Sequence, residues 1–273
     1  MEKADILLSH ALIVTQDAKR TILPESSIVI KDNRIYTIGQ SALIDSLFEA
    51  ETIIDLQGKI VFPGLINTHD HLFQVATKGL GEDMAVQDWV TVVTAPTASN
   101  ITPEEMYTIC LNGCLELIHS GVTSVIDMNY MAYTFGLHDE NIHAIKDSGL
   151  RGRYTTIISD YGLMYGVPES LIRPTDWFID QYEQLVSKYP PNERMAVWVA
   201  VGAPWTVTGE GLDKSLAFSK RTGTPMVMHI GENWVDNHCS LDRFGMNSVP
   251  YLEKIGFLRP ELLAIHCVTL NDE

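Results

Sequence analysis

From residue 65 onward, apolar runs and amphipathic segments take turns, and this rhythm restricts the fold more than any other feature of the sequence. The spacing predicts strands over 65–68, 122–128, 153–158, 195–201, 225–230 and 262–268. It predicts helices over 102–120, 138–148, 176–188, 211–221 and 249–255. The first helix opens on Thr102-Pro103-Glu104-Glu105, where Thr102 fits the N-cap, Pro103 the first turn and Glu105 a capping box. Gly121, Gly149 and Gly223 stop helices, and Pro190-Pro191 stops another. Strands alternating with helices are buried on both faces of a parallel sheet. No GxGxxG follows any of the six strands, so a dinucleotide-binding fold is not supported. The expected fold is α/β, a TIM-type (β/α)8 barrel with about six of its βα units present.

Residues 1–62 read differently. Short β-type runs at 6–8, 12–15, 27–31, 35–38, 52–56 and 60–62 are punctuated by Asp32-Asn33 and Gln57-Gly58, which makes a small β-sheet unit. The expected organisation is therefore residues 1–62 as a β unit and 63–273 as the barrel. The chain has 273 residues, with 19 Lys plus Arg against 35 Asp plus Glu, a net charge of −16. That balance disfavours nucleic-acid backbone binding. Cys110, Cys114, Cys239 and Cys267 form no CxxC pair, and Cys110 and Cys114, i,i+4 on a predicted helix, read as small buried hydrophobes. The N-terminus carries no signal-peptide pattern, and no apolar run is long enough to cross a bilayer. A cytoplasmic protein with no membrane partner is the expectation.

Chemistry concentrates at the predicted strand ends. His69-Asp70-His71 closes the first barrel strand, and side chains two apart on a strand share a face, so both imidazoles point into the barrel mouth. Paired imidazoles are natural zinc or iron ligands, although an HxH alone also occurs in ordinary cores. His229 ends the fifth strand, with Glu232 three residues on, and His266 lies near the end of the sixth. Barrel enzymes place their catalytic residues at these ends. The remaining histidines, His10, His119, His138, His143 and His238, read as surface or packing residues. Gln74, Trp89, Trp205 and Trp234 fall on loops after strands one, four and five, where an amide can bond a ring edge and an indole can stack on a ring.

The set Pro63-Gly64 through His69-x-His71, His229-x-x-Glu232 and His266 resembles the amidohydrolase superfamily, in particular its cytosine-deaminase-like aminohydrolases. That group includes guanine deaminase, S-adenosylhomocysteine deaminase and the s-triazine hydrolases. The resemblance covers essentially the whole chain, with residues 79–89 similar to the loop after strand one. It implies that the β unit is part of a small β-sandwich. It implies His69, His71 and His229 as metal ligands and Glu232 as the proton shuttle. It implies His266 as the group orienting the attacking water or a substrate carbonyl, and Gln74 as a contact to the heterocycle. No lysine occurs between Lys146 and Lys188, or between Lys188 and Lys214, so strands three and four offer no bridging carboxylated lysine. One divalent ion is expected, zinc ahead of iron.

The implied reaction is metal-dependent hydrolysis of an amino group on a purine, pterin, pyrimidine or triazine, releasing ammonia. The alternative is removal of chloride or an alkylamine from a triazine-like ring, because residues 202–208 look closer to the triazine hydrolases. Relatives continue through strands seven and eight, the last ending in an aspartate that is a metal ligand and the hydrolytic base. The chain is thus expected to be C-terminally truncated, and a further alternative is an inactive fragment or a subunit needing a complementing chain. A homo-oligomer is also within the resemblance.

Overall fold

The computed structural model describes residues 1–130 and 137–271 and divides into two compact units, Met1–Gly64 and Leu65–Glu273. In the first unit a long strand β1 (Glu2–Val14) lies at the centre. It pairs antiparallel with β2 (Ile22–Lys31), which pairs with β3 (Arg34–Gln40). On its other side β1 runs parallel to β4 (Phe48–Asp55) and β5 (Ile60–Val61). The helix α1 (Ser41–Leu47), absent from the sequence reading, brings Ile44 onto Ala4, Leu7 and Val29. The two strands expected over 6–8 and 12–15 are one strand with an irregularity at His10, whose φ is 58°. Asp32 and Asn33 turn β2 into β3 with φ values of 54° and 60°, both left-handed as a tight hairpin requires.

The second unit follows the βα rhythm. Its elements are β6 (Leu65–Asp70), short helices α2 (Val86–Trp89) and α3 (Ala95–Asn100), α4 (Pro103–His119), β7 (Val122–Asn129), α5 (Leu137–Ser148), β8 (Arg151–Ile158) and α6 (Thr175–Lys188). They continue with β9 (Met195–Val197), β10 (Val199–Val201), α7 (Gly209–Thr222), β11 (Met226–Ile230), α8 (Trp234–Phe244), α9 (Ser248–Lys254) and β12 (Leu262–His266). The sheet order is β12-β11-β10-β8-β7-β6, with every neighbouring pair parallel and β9 also against β8. The chain is mixed α/β with a parallel, barrel-type sheet of about six strands. The strand expected over 195–201 is broken at Trp198: its N–H keeps the ladder bond to the Tyr154 carbonyl of β8 at 2.9 Å, and the next rung is interrupted by the Tyr182 hydroxyl. The Tyr182 hydroxyl, rising from α6, accepts from Ala200 N–H at 2.8 Å and Thr156 N–H at 3.1 Å, and fills the gap between β8 and β10.

Two cores lie on the two faces of this sheet. Val125, Tyr154, Ile158, Val199, Val201, Met226 and Ile230 pack outward against the helices. Ile126, Ile157, Ala200, Val227 and Ile265 fill the interior. The alternation along each strand fixes which side chains reach the interior at its C-terminal end, and that is where the site forms. The Thr102–Glu105 capping box is present at α4. No helix among the described residues is long and apolar enough to cross a membrane.

Candidate active site

Val227 points inward on β11, so His229, two residues later, does too. Its ring lies 5.0 Å from that of His69 at the end of β6 and 5.7 Å from that of His71, to which it is parallel within 5°. His266 arrives by another route. Leu263 and Ile265 face the interior, so simple alternation would send His266 to the helix side. Its φ of 72°, followed by 57° at Cys267, turns the chain and brings the ring 5.0 Å from both His69 and His229. Left-handed backbone at non-glycine residues is costly and tends to sit at functional sites.

The four imidazoles converge on one point. Nitrogens of His69, His229 and His266 lie within 4.8 Å of one another, a three-donor set that could hold a metal ion. This set includes His266, where the resemblance implies His71. The His71 ring is fixed separately: its Nδ1–H donates to the Met128 carbonyl on β7, which leaves Nε2 as the lone-pair nitrogen. Burial pushes His69 down to about 3, helped by His71 and His266, and pushes His71 down to about 4 against the opposing bond to Met128. Burial, then the neighbouring imidazoles, hold His229 well below its ordinary range. These three rings are neutral near pH 7 with lone pairs free, the state in which imidazole binds a metal. The donor set fits a divalent ion of the zinc or iron kind.

Glu232 follows the end of β11 and sets Oε1 3.8 Å from His266 Nε2. Burial raises its pKa, with His266 opposing. Its backbone N–H donates to Asp236, a buried residue in the first turn of α8. A cavity of about 190 Å³ opens over His71, His229 and Glu232, and Gln74, Trp89 and Trp205 all line it. Gln74 donates to the Tyr130 hydroxyl at 2.5 Å, and Tyr130 packs edge-on to His71. Trp205 is held by Arg243, which donates to its carbonyl at 2.8 Å, and by the edge of Tyr165. Trp234 does not join them: it opens α8 and is 78% exposed. Tyr130 and Met128 were not anticipated. Tyr130 carried a signal, an aromatic one step beyond a strand end, whereas Met128 acts through a backbone carbonyl that no side-chain pattern announces.

The amidohydrolase family pattern matches residues 60–273. The chain belongs to the amidohydrolase family. Among curated proteins it is 27% identical over 269 residues to 5-methylthioadenosine/S-adenosylhomocysteine deaminase of Nitratidesulfovibrio vulgaris, covering 98% of this chain and 58% of the relative. It is 30% identical over 270 residues to 5'-deoxyadenosine deaminase of Methanosarcina mazei, covering 98% and 59%. Atrazine chlorohydrolase from Arthrobacter aurescens, solved with zinc, superposes with a TM-score of 0.87 at 21% identity, over 97% of this chain and 61% of that one. This amidohydrolase chain thus spans under two thirds of the length of the relatives it matches. Asp272 and Glu273, the last residues within the resemblance, lie outside the described residues.

Proposed function

We propose that the chain is a metal-dependent aminohydrolase that replaces an exocyclic amino group on an aromatic heterocycle with a hydroxyl from water. The observation that carries this reading is the convergence of His69, His71, His229 and His266 with Glu232 beneath a cavity walled by Trp89 and Trp205. A divalent ion held by His69, His71 and His229, zinc ahead of iron, would supply a Lewis acid that lowers the pKa of water to about 7. Met128 holds His71 in the tautomer whose Nε2 carries the lone pair. His266 orients the attacking water or a substrate carbonyl, with its Nε2 facing Glu232. Glu232, whose carboxylate burial makes more basic, takes a proton from that water and passes it to the ring nitrogen or departing amine. One water is consumed; the C–N bond breaks, a C–O bond forms and ammonia leaves. Gln74 offers an amide to the ring edge, and the two indoles stack on its faces.

The purified chain is expected to bind about one zinc per molecule, lost in His69→Ala, and to release ammonia from adenosine-like nucleosides, guanine or an aminotriazine. A wild-type chain that takes up no zinc refutes the reading. One observation favours a second reading, hydrolytic removal of chloride. Gly202, Ala203, Trp205 and Thr206 form a cavity wall with no ionisable side chain, and chloride needs no proton in order to leave. Chloride release from a chlorotriazine without ammonia release from any amine would select it.

A further inference from the structure

Asp127 lies two residues before the end of β7, is fully buried, and does not line the cavity. Its Oδ1 accepts the backbone N–H of Leu72 at 2.8 Å, and its Oδ2 accepts Asn141 Nδ2 from α5 at 2.7 Å. Leu72 directly follows His71 and starts the two-turn 3-10 helix Leu72–Thr77. The next residue along β7, Met128, receives the His71 ring through its carbonyl. Two consecutive residues of one strand therefore grip His71 from two sides: Met128 takes the ring, and Asp127 takes the backbone just after it. Thr155 on β8 donates to the Asp127 carbonyl at 3.0 Å, which ties this grip to the middle of the sheet.

We infer that Asp127 is a positioning residue which fixes His71 for ion binding by holding the Leu72 N–H. This rests on the proposed metal-dependent function. The role requires an acceptor oxygen toward Leu72 rather than a charge. An asparagine keeps that oxygen, and its amide can donate to the Asn141 Oδ1, which is buried without a partner, once the Asn141 amide turns over. Alanine leaves the Leu72 N–H buried and unpaired and frees the loop that carries His71.

The test is zinc affinity, measured by competition with a chromophoric chelator on the 273-residue chain. Asp127→Ala is expected to weaken zinc by about 10- to 100-fold, the range for outer groups that orient ligands, and Asp127→Asn to stay within about threefold of wild type. The alanine effect should largely vanish in a His71→Ala background, because Asp127 acts through His71; a merely structural role would persist there. Full-strength zinc binding by Asp127→Ala, or an undiminished effect in the His71→Ala background, overturns the inference and leaves the proposed function standing. A wild-type chain that binds no zinc overturns both. If Asp127→Ala does not fold, amide hydrogen exchange on the wild-type chain decides: Leu72 is expected to be protected like β7, and exchange at loop rates overturns the inference.

Discussion

His138 tests whether burial governs histidine protonation in this chain, independently of any activity. It sits in the first turn of α5, 1% exposed, with Nδ1 2.5 Å from the Tyr154 hydroxyl. Burial pushes its pKa down to about 4, only weakly countered by Asp139. An unfolded histidine titrates near 6.5, so below that pH the unfolded chain binds a proton that the folded chain refuses. The stability that rests on neutral His138 is complete above about pH 6.5 and is lost as the pH falls toward 4. Between pH 7.5 and 5.0 the linkage integral for a shift from 6.5 to about 4 is about 2 kcal/mol. His138→Phe keeps a ring of similar size and removes the titration. It will cost stability at every pH, because Tyr154 loses its partner, but that cost cancels in the pH difference. Urea unfolding in EDTA at the two pH values should show wild type losing about 2 kcal/mol more than His138→Phe. The substitution leaves the site histidines unchanged, so their contribution is common to both proteins and drops out of the comparison. Parallel losses in the two proteins would refute the reasoning.

Two other perturbations bear on the site. Glu232→Gln should lower kcat for amine release by about 10²- to 10⁴-fold with little change in zinc content, since it removes the proton carrier and no proposed ligand; steady-state kinetics beside metal analysis read this out. Gly81 has φ +85°, and a Cβ there would stand 2.4 Å from Trp89 Cδ1. Gly81→Ala should therefore displace Trp89 from the cavity wall, weaken heterocycle binding several-fold and shift tryptophan emission, whereas Gly79→Ala, which meets nothing within 4 Å, should leave Trp89 in place.

The strand-end residues were legible because they obey short-range rules. The two-residue spacing of His69 and His71, and the three residues from His229 to Glu232, need only a strand and a turn to become geometry. Thr102 and Glu105 announce α4 by satisfying its first N–H groups themselves. What stayed hidden depends on contacts made elsewhere in the chain. Residues 90–94 include Val90, Val92 and Val93, a β-type run, yet form a π-helical turn between α2 and α3. The break at Trp198 exists because the Tyr182 hydroxyl, from α6, takes the Ala200 and Thr156 backbone groups that would otherwise pair. The helix α8 was missed although its signals are local: Asn233 accepts from the N–H groups of Val235 and Asp236, and Gly245 ends it in the left-handed conformation. Its helical face is diluted by Asp236, Asn237 and His238, which makes its periodicity faint.

Least legible of all was the route by which His266 reaches the site, and it leads to a prediction of its own. By alternation the side chain after Ile265 belongs among the helices; the left-handed turn at His266 overrides this. Such a conformation costs an L-residue about 1–2 kcal/mol, with asparagine among the few that tolerate it and β-branched residues among the worst. His266→Asn and His266→Val both delete the imidazole, and the site is exposed enough that neither change opens a large core cavity. If the backbone is held in this conformation by the rest of the fold, His266→Val should be less stable than His266→Asn by at least about 1 kcal/mol in urea unfolding with EDTA present. Equal stabilities would mean that the turn relaxes once the imidazole is gone. The strain would then be imposed by the histidine cluster, and the chain would not deliver His266 to the site ready-placed.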